Sequence, residues 1–301
     1  MWILGAILSA TLLGFYDVFK KYSLKGNAVL PVLMVTTSIC ALFFLPLIIS
    51  SLCGWSTAMP VCGTREHLLV LAKAVLVLSS WVCGYYAMKH LPLTIVGPIN
   101  ATRPIFTLLG ALLLYGERLN GWQWAGVWLS VASFYLLSRS GKKEGIRFGQ
   151  DRWVLLLVLA ALLGGISGLY DKFLLAPSES GGMGLNRYFV QAWYNTYQAL
   201  MMVGILLLIW WPARSKQKFK WRWSILLIPI FLTGADLVYF YALSLPGALI
   251  AVVSMVRRSC VVVSFLFGAL LFREKNLRGK SVGLLLVILG TVCLFIGSVH
   301  Q

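Results

Sequence analysis

The same landmarks occur twice along this chain, in the same order and at nearly constant separation. Gly14-Phe15-Tyr16-Asp17-Val18-Phe19 returns as Gly168-Leu169-Tyr170-Asp171-Lys172-Phe173, and Leu91-Pro92 returns as Leu245-Pro246, both 154 residues on. Leu114-Tyr115-Gly116-Glu117 returns as Leu271-Phe272-Arg273-Glu274, and Gly126 as Gly283, now 157 residues on. A single match is cheap in an apolar alphabet, but an ordered series is not. A chain written as two copies of one unit must pack those copies against each other, which limits its folds more than any single motif does.

Each copy is hydrophobic enough to lie in a bilayer. Of 301 residues, 59% are hydrophobic and 12% charged, against about 25% charged in an ordinary soluble domain. A membrane-crossing helix needs roughly 20 apolar residues. Ten stretches qualify: 2–22, 28–52, 67–88, 93–115, 122–138, 153–175, 188–211, 223–243, 247–272 and 280–299. Five per half is an odd number, so the second half enters from the opposite side. The expected fold is an all-α membrane protein with ten transmembrane helices as two inverted five-helix repeats. Residues 1–138 form the first repeat, 139–152 a basic linker and 153–301 the second repeat. The first apolar run starts at Trp2 without a basic region before it, so no cleavable signal is expected.

The net charge of +17 raises nucleic acid as a partner, and its distribution argues against it. Of the 26 Lys and Arg residues, 18 fall at connections one, three, five, seven and nine, against Arg65, Arg118, Lys172 and Arg187 on the other side. Such a bias places the odd connections in the cytoplasm and both termini outside, in a bacterial inner membrane. The basic loops then meet water and membrane lipid headgroups. Six cysteines show no metal spacing, and no cofactor or metal is expected. Cys53 and Cys62 flank one short loop on the outer side, where they are either bonded or free.

Polar side chains within apolar helices point to function, because each is costly in hydrocarbon. Arg103 lies between Asn100 and Pro104 on the fourth span, where Pro98 and Pro104 break the backbone ladder. Arg257 and Arg258 occupy the ninth span; the spacing slips by three residues here, so either of them, or neither, is the counterpart of Arg103. Guanidinium forks suit a carboxylate or phosphate. Asp236 on the eighth span is a charge partner for an arginine or a proton-coupling group. Lys73 and the aromatic residues Trp81, Tyr85, Trp193 and Tyr239 are candidate substrate contacts. Gln191 and Asn195, four residues apart on one helix face, are candidate polar contacts. The repeat-related Asp17 and Asp171, with Lys20 beside the former, are candidate gates near opposite faces.

The run Pro104-Ile105-Phe106-Thr107-Leu108-Leu109-Gly110, then Leu113-Leu114-Tyr115-Gly116-Glu117-Arg118-Leu119, resembles the drug/metabolite transporter superfamily in its EamA-type ten-helix branch. The resemblance covers essentially the whole chain. The second half departs from the pattern: it lacks the proline and has Arg273 where glycine is usual. Family members are usually drawn with cytoplasmic termini, opposite to the charge bias here. The resemblance implies a two-repeat carrier with a central cavity working by alternating access.

Enzyme motifs are absent: the chain has no His-Glu-x-x-His, P-loop or Gly-x-Ser-x-Gly. The expected function is secondary transport of a small polar metabolite, anionic or zwitterionic, through a cavity lined by arginine and aromatic residues. Two alternatives stand beside it: a flippase for a phosphate-bearing lipid or lipid-linked sugar, and a non-transporting membrane sensor or scaffold.

Overall fold

The structure is a computed structural model that describes residues 2–54, 59–103, 105–106, 120–142, 145–175, 182–215, 217–244, 256–257, 259–274 and 276–299. Its helices are α1 (Trp2–Leu24), α2 (Val29–Leu52), α3 (Thr64–His90), α4 (Leu93–Ala101) and α5 (Gly121–Lys142) in the first half. The second half has α6 (Arg152–Leu175), α7 (Arg187–Ile205), α8 (Ser224–Ser244), α9 (Cys260–Leu271) and α10 (Leu277–Val299). A π-helical turn, Leu206–Trp210, and a final turn, Trp211–Ala213, extend α7. Among the described residues five helices are long and apolar enough to cross a membrane, and shorter apolar helices accompany them. Arg258, Leu245-Pro246, Pro104 and most of the motif run after it lie outside the described residues.

Local chemistry sets the helix ends. Asn186 caps α7, its side-chain oxygen accepting from the Tyr188 amide at 2.9 Å. Asn120 and Gln123 form a reciprocal cap on α5, each side-chain oxygen accepting the other's backbone N–H at 3.0 Å. α3 stops before Leu91-Pro92 because a residue preceding proline disfavours helix. α5 runs to Lys142, four residues past its apolar span, since a helix end in the headgroup region readily accepts Ser, Arg and Lys.

The main packings follow the duplication. α1 lies on α8 and α9, as α6 lies on α3 and α4; α3 meets α7, as α8 meets α2. The remaining large contacts join three pairs of repeat mates: α2 to α7, α4 to α9, and α5 to α10. Repeat mates run antiparallel. Ser133 of α5 donates to the Gly283 carbonyl, while Asn120 at the start of α5 donates to Gly297 near the end of α10. Copies whose equivalent helices are antiparallel are related by inversion, as an odd helix number requires.

The surface is apolar and the interior holds the polar groups. Leu4 is 69% exposed and Leu208 79%, and large aliphatic side chains stand outward on nearly every helix. Ser9, Ser80, Thr94, Ser133 and Gln198 are buried between helices. Water would not tolerate that surface, whereas lipid requires it. The α5–α10 seam relies on small residues: a Cβ on Gly126 would lie 2.7 Å from the Gly290 carbonyl oxygen, so the backbones meet directly.

Candidate functional site

α4 and α9, repeat mates packed on each other, are each interrupted at one end. At the end of α4 the Thr102 amide bonds back to the Ile99 carbonyl at 3.2 Å, its hydroxyl donates to the same carbonyl at 2.7 Å, and the Ile105 amide returns to Thr102 at 2.9 Å. Ahead of α9 the Ser259 amide and hydroxyl bond to the Val256 carbonyl at 3.0 and 2.7 Å, and the Val262 amide returns to Ser259 at 2.9 Å. These are tight three-residue turns in which a hydroxyl supplies a bond that the regular ladder lacks.

Between the breaks lies a cavity of about 330 Å³. α4 contributes Gly97, Asn100 and Ala101, with Arg103 just beyond its end; Arg257, Cys260 and Val261 come from the α9 side. α1 contributes Leu13, Tyr16, Asp17 and Lys20, α3 contributes Ser80, Trp81 and Gly84, and α8 contributes Leu232 and Tyr239.

The charges in this wall are organised. Arg257 is ion-paired with Asp236 through its Nη2, and its guanidinium stands 4.5 Å from the centre of the Tyr239 ring. Arg103 reaches Asn100 Oδ1 with Nη2 at 3.3 Å. Its guanidinium passes over Gly164 of α6, where a Cβ would lie 3.0 Å from Nε. Asp17 accepts from the Ser264 hydroxyl at 3.1 Å. Lys20 is buried with its Nζ 4.1 Å from the Tyr85 ring centre and 3.3 Å from the Tyr16 hydroxyl.

Several candidates from the sequence stand off the cavity wall. Tyr85 is a layer behind it, beneath Lys20. Asp236 backs Arg257. Lys73 is ion-paired with Asp171, and its Nζ lies 4.6 Å from the Tyr194 ring centre. Trp193 packs on His67 at 4.7 Å in a separate aromatic cluster, Asn195 is buried in α7 and Gln191 is partly buried. α7 packs against α2 and α3, and none of Gln191, Trp193 and Asn195 lines the cavity. All six cysteines are free, Cys53 and Cys62 included.

Sequence reasoning missed Tyr16, Gly84, Cys260 and Gly164. Tyr16 carried a signal, its recurrence as Tyr170 beside the second aspartate. In the sequence Glu274 is only part of a repeated motif. Its carboxylate takes the Leu93 amide at 2.5 Å, the Thr94 amide at 2.9 Å and the Thr94 hydroxyl, and so caps α4 from the other half of the chain. Lys21 of α1 donates to the Met88 carbonyl at 2.7 Å and to the Leu91 carbonyl, closing the end of α3. The α3–α4 turn is thus clamped from both sides, which fixes where α4 points Asn100 and Arg103.

Comparison with known proteins agrees with this architecture. Residues 1–139 match the model of the EamA-like transporter family. A protein of Pseudomonas aeruginosa named as an uncharacterized transporter is 30% identical over 142 residues, which is 44% of this chain. The chain matches 47% of that relative's length, about half. A crystal structure of another protein aligns over 100% of this chain and 97% of its own, with a TM-score of 0.60 at 15% identity, a likeness of fold. The first half of this helical, apolar chain is thus similar to the EamA-like transporter family and to a protein named as a transporter.

Proposed function

We propose that the chain is a secondary transporter that moves a small polar metabolite, anionic or zwitterionic, by alternating access. The observation that carries this reading is the meeting of Arg103 and Arg257, from opposite repeats, on one cavity at two matched helix breaks. Broken helices at a repeat interface expose backbone and side-chain groups that hydrocarbon would not accept, and carriers use such places to hold substrate. Among the described residues the wall and its backing hold three basic side chains, Lys20, Arg103 and Arg257, against Asp17 and Asp236. That balance favours a ligand carrying a carboxylate or phosphate, with Trp81 and Tyr239 offering aromatic contact.

In this reading the halves 1–138 and 153–301 are the moving units, joined by the linker 139–152. The Lys73–Asp171 pair closes one face, and Asp17 with Lys20 serves the other. Asp236 balances Arg257 and takes up a proton when Arg257 turns to substrate. The charge bias puts both termini outside a bacterial inner membrane.

The test is a thermal-shift panel on purified protein, using anionic, zwitterionic and cationic metabolites and phospholipid headgroups, followed by uptake into liposomes. A ligand that binds the folded state raises its stability by RT ln(1 + [L]/Kd). An anion or zwitterion should stabilise the protein, and Arg103→Ala should abolish both that shift and uptake while the unliganded protein still folds. Normal uptake by Arg103→Ala, or stabilisation by cations alone, would refute the assignment.

A further inference from the structure

A second space adjoins the cavity. A crevice of about 190 Å³ is bounded by Val256 and Ser259 next to the α9 break and by Val287, Ile288, Thr291 and Val292 of α10. Ala101 and Val261 line both spaces, so the two share a wall there. The crevice has two hydroxyls, and each is committed to its own helix: Ser259 donates to the Val256 carbonyl at 2.7 Å and Thr291 to the Val287 carbonyl at 2.9 Å. What remains facing inward is aliphatic. Water entering such a space would find few partners, and an apolar volume of about 150 Å³ is already enough to hold benzene.

The backbone alternation around the α9 break produces this division. Arg257 and Cys260 face the charged cavity, and Val256 and Ser259 face the crevice. One short segment therefore presents a cationic surface and an apolar surface side by side.

We propose that the crevice is an apolar annex of the substrate site, and that the substrate is a small water-soluble monoanion carrying one compact apolar group of about the size of a benzene ring or a short alkyl chain. Its acidic group lies at Arg103 and Arg257, and its apolar group enters the annex past Ala101 and Val261. The inference rests on the transport reading above and narrows its substrate class. Bulk favours a single small group over the two long chains of a membrane lipid. Continuity with the arginine wall favours an occupant joined to an anionic head over an unrelated apolar molecule.

The test uses acetate, hexanoate and phenylacetate as probes, titrated against the thermal midpoint of the purified full chain. Hexanoate and phenylacetate should half-saturate at concentrations about ten-fold or more below acetate, because each buries apolar area that acetate lacks. Thr291→Phe fills the annex from α10 without touching the cavity. It should bring both longer probes to the acetate value and leave acetate unchanged. Val287→Ala enlarges the annex and should improve octanoate relative to hexanoate, and it decides the matter should Thr291→Phe not fold. Equal half-saturation by all probes overturns the annex, as does a tail preference that survives Thr291→Phe or an octanoate-to-hexanoate ratio unmoved by Val287→Ala. Acetate binding that depends on Arg103 would then leave the transport reading standing. Probes that stabilise the protein equally with and without Arg103, or not at all, overturn both.

Discussion

Thr102 and Ser259 occupy the same break in two different helices, 157 residues apart, with the same three backbone and hydroxyl bonds around each. This register settles the pairing across the repeats. At a separation of 157, Arg103 corresponds to Cys260 and Arg257 to Asn100. All four line the cavity. The two arginines are thus not copies of one another: each stands opposite an uncharged residue, and the duplicated scaffold presents different chemistry from its two halves.

Arg257 has a dedicated acid in Asp236, and both are largely withdrawn from the surface, with side-chain exposures of 21% and 24%. Removing one partner leaves the other charge in a poorly solvated place. Arg257→Ala should cost about 3–5 kcal/mol of stability, whereas Arg257→Ala combined with Asp236→Ala should recover most of it. A double-mutant cycle on thermal midpoints checks this. Additive losses would mean that the pair does not couple.

Gly164 matters as a space beside Arg103. A methyl group there would press on the guanidinium Nε from 3.0 Å and push it off its present position. Gly164→Ala should weaken ligand stabilisation about ten-fold, since small displacements of a positioning group are expensive, while changing the unliganded midpoint little. Unchanged ligand response would show that Arg103 can adjust freely.

Glu274 satisfies two of the orphan amides at the start of α4 and sits at the positive end of its dipole. Glu274→Gln should lower stability by about 1–2 kcal/mol, read as a lower thermal midpoint. Weaker ligand binding should follow as well, because the cap sets the direction of the helix that carries Asn100. A midpoint equal to wild type would mean that the cap is dispensable.

Arg273, next to that glutamate, holds a left-handed backbone with φ of 49°. At the matching place in the first half the sequence has Gly116, and glycine is the residue type that tolerates a left-handed backbone without strain. Arg273→Gly should therefore stabilise the protein by about 0.5–1 kcal/mol, the strain relieved being offset in part by the freedom of glycine in the unfolded chain. A lower midpoint would show that the Arg273 side chain makes a larger contribution than its backbone strain costs.

Periodicity and composition were sufficient for the fold class. Hydrocarbon demands closed backbone hydrogen bonding and apolar surface over a fixed length, so ten spans, two halves and their inversion could be read from residue order alone. The named polar residues were legible for the same reason, because a charge within an apolar span stands out. Which of them share a site was not legible. Asp17, Lys20, Trp81, Asn100, Arg103, Tyr239 and Arg257 meet at one cavity, while Lys73 pairs with Asp171, and Trp193 packs against His67. These groupings are set by helix rotation and by contacts between residues more than 100 positions apart, such as Glu274 on Leu93. Sequence distance does not encode them, and only the packed bundle brings those side chains face to face.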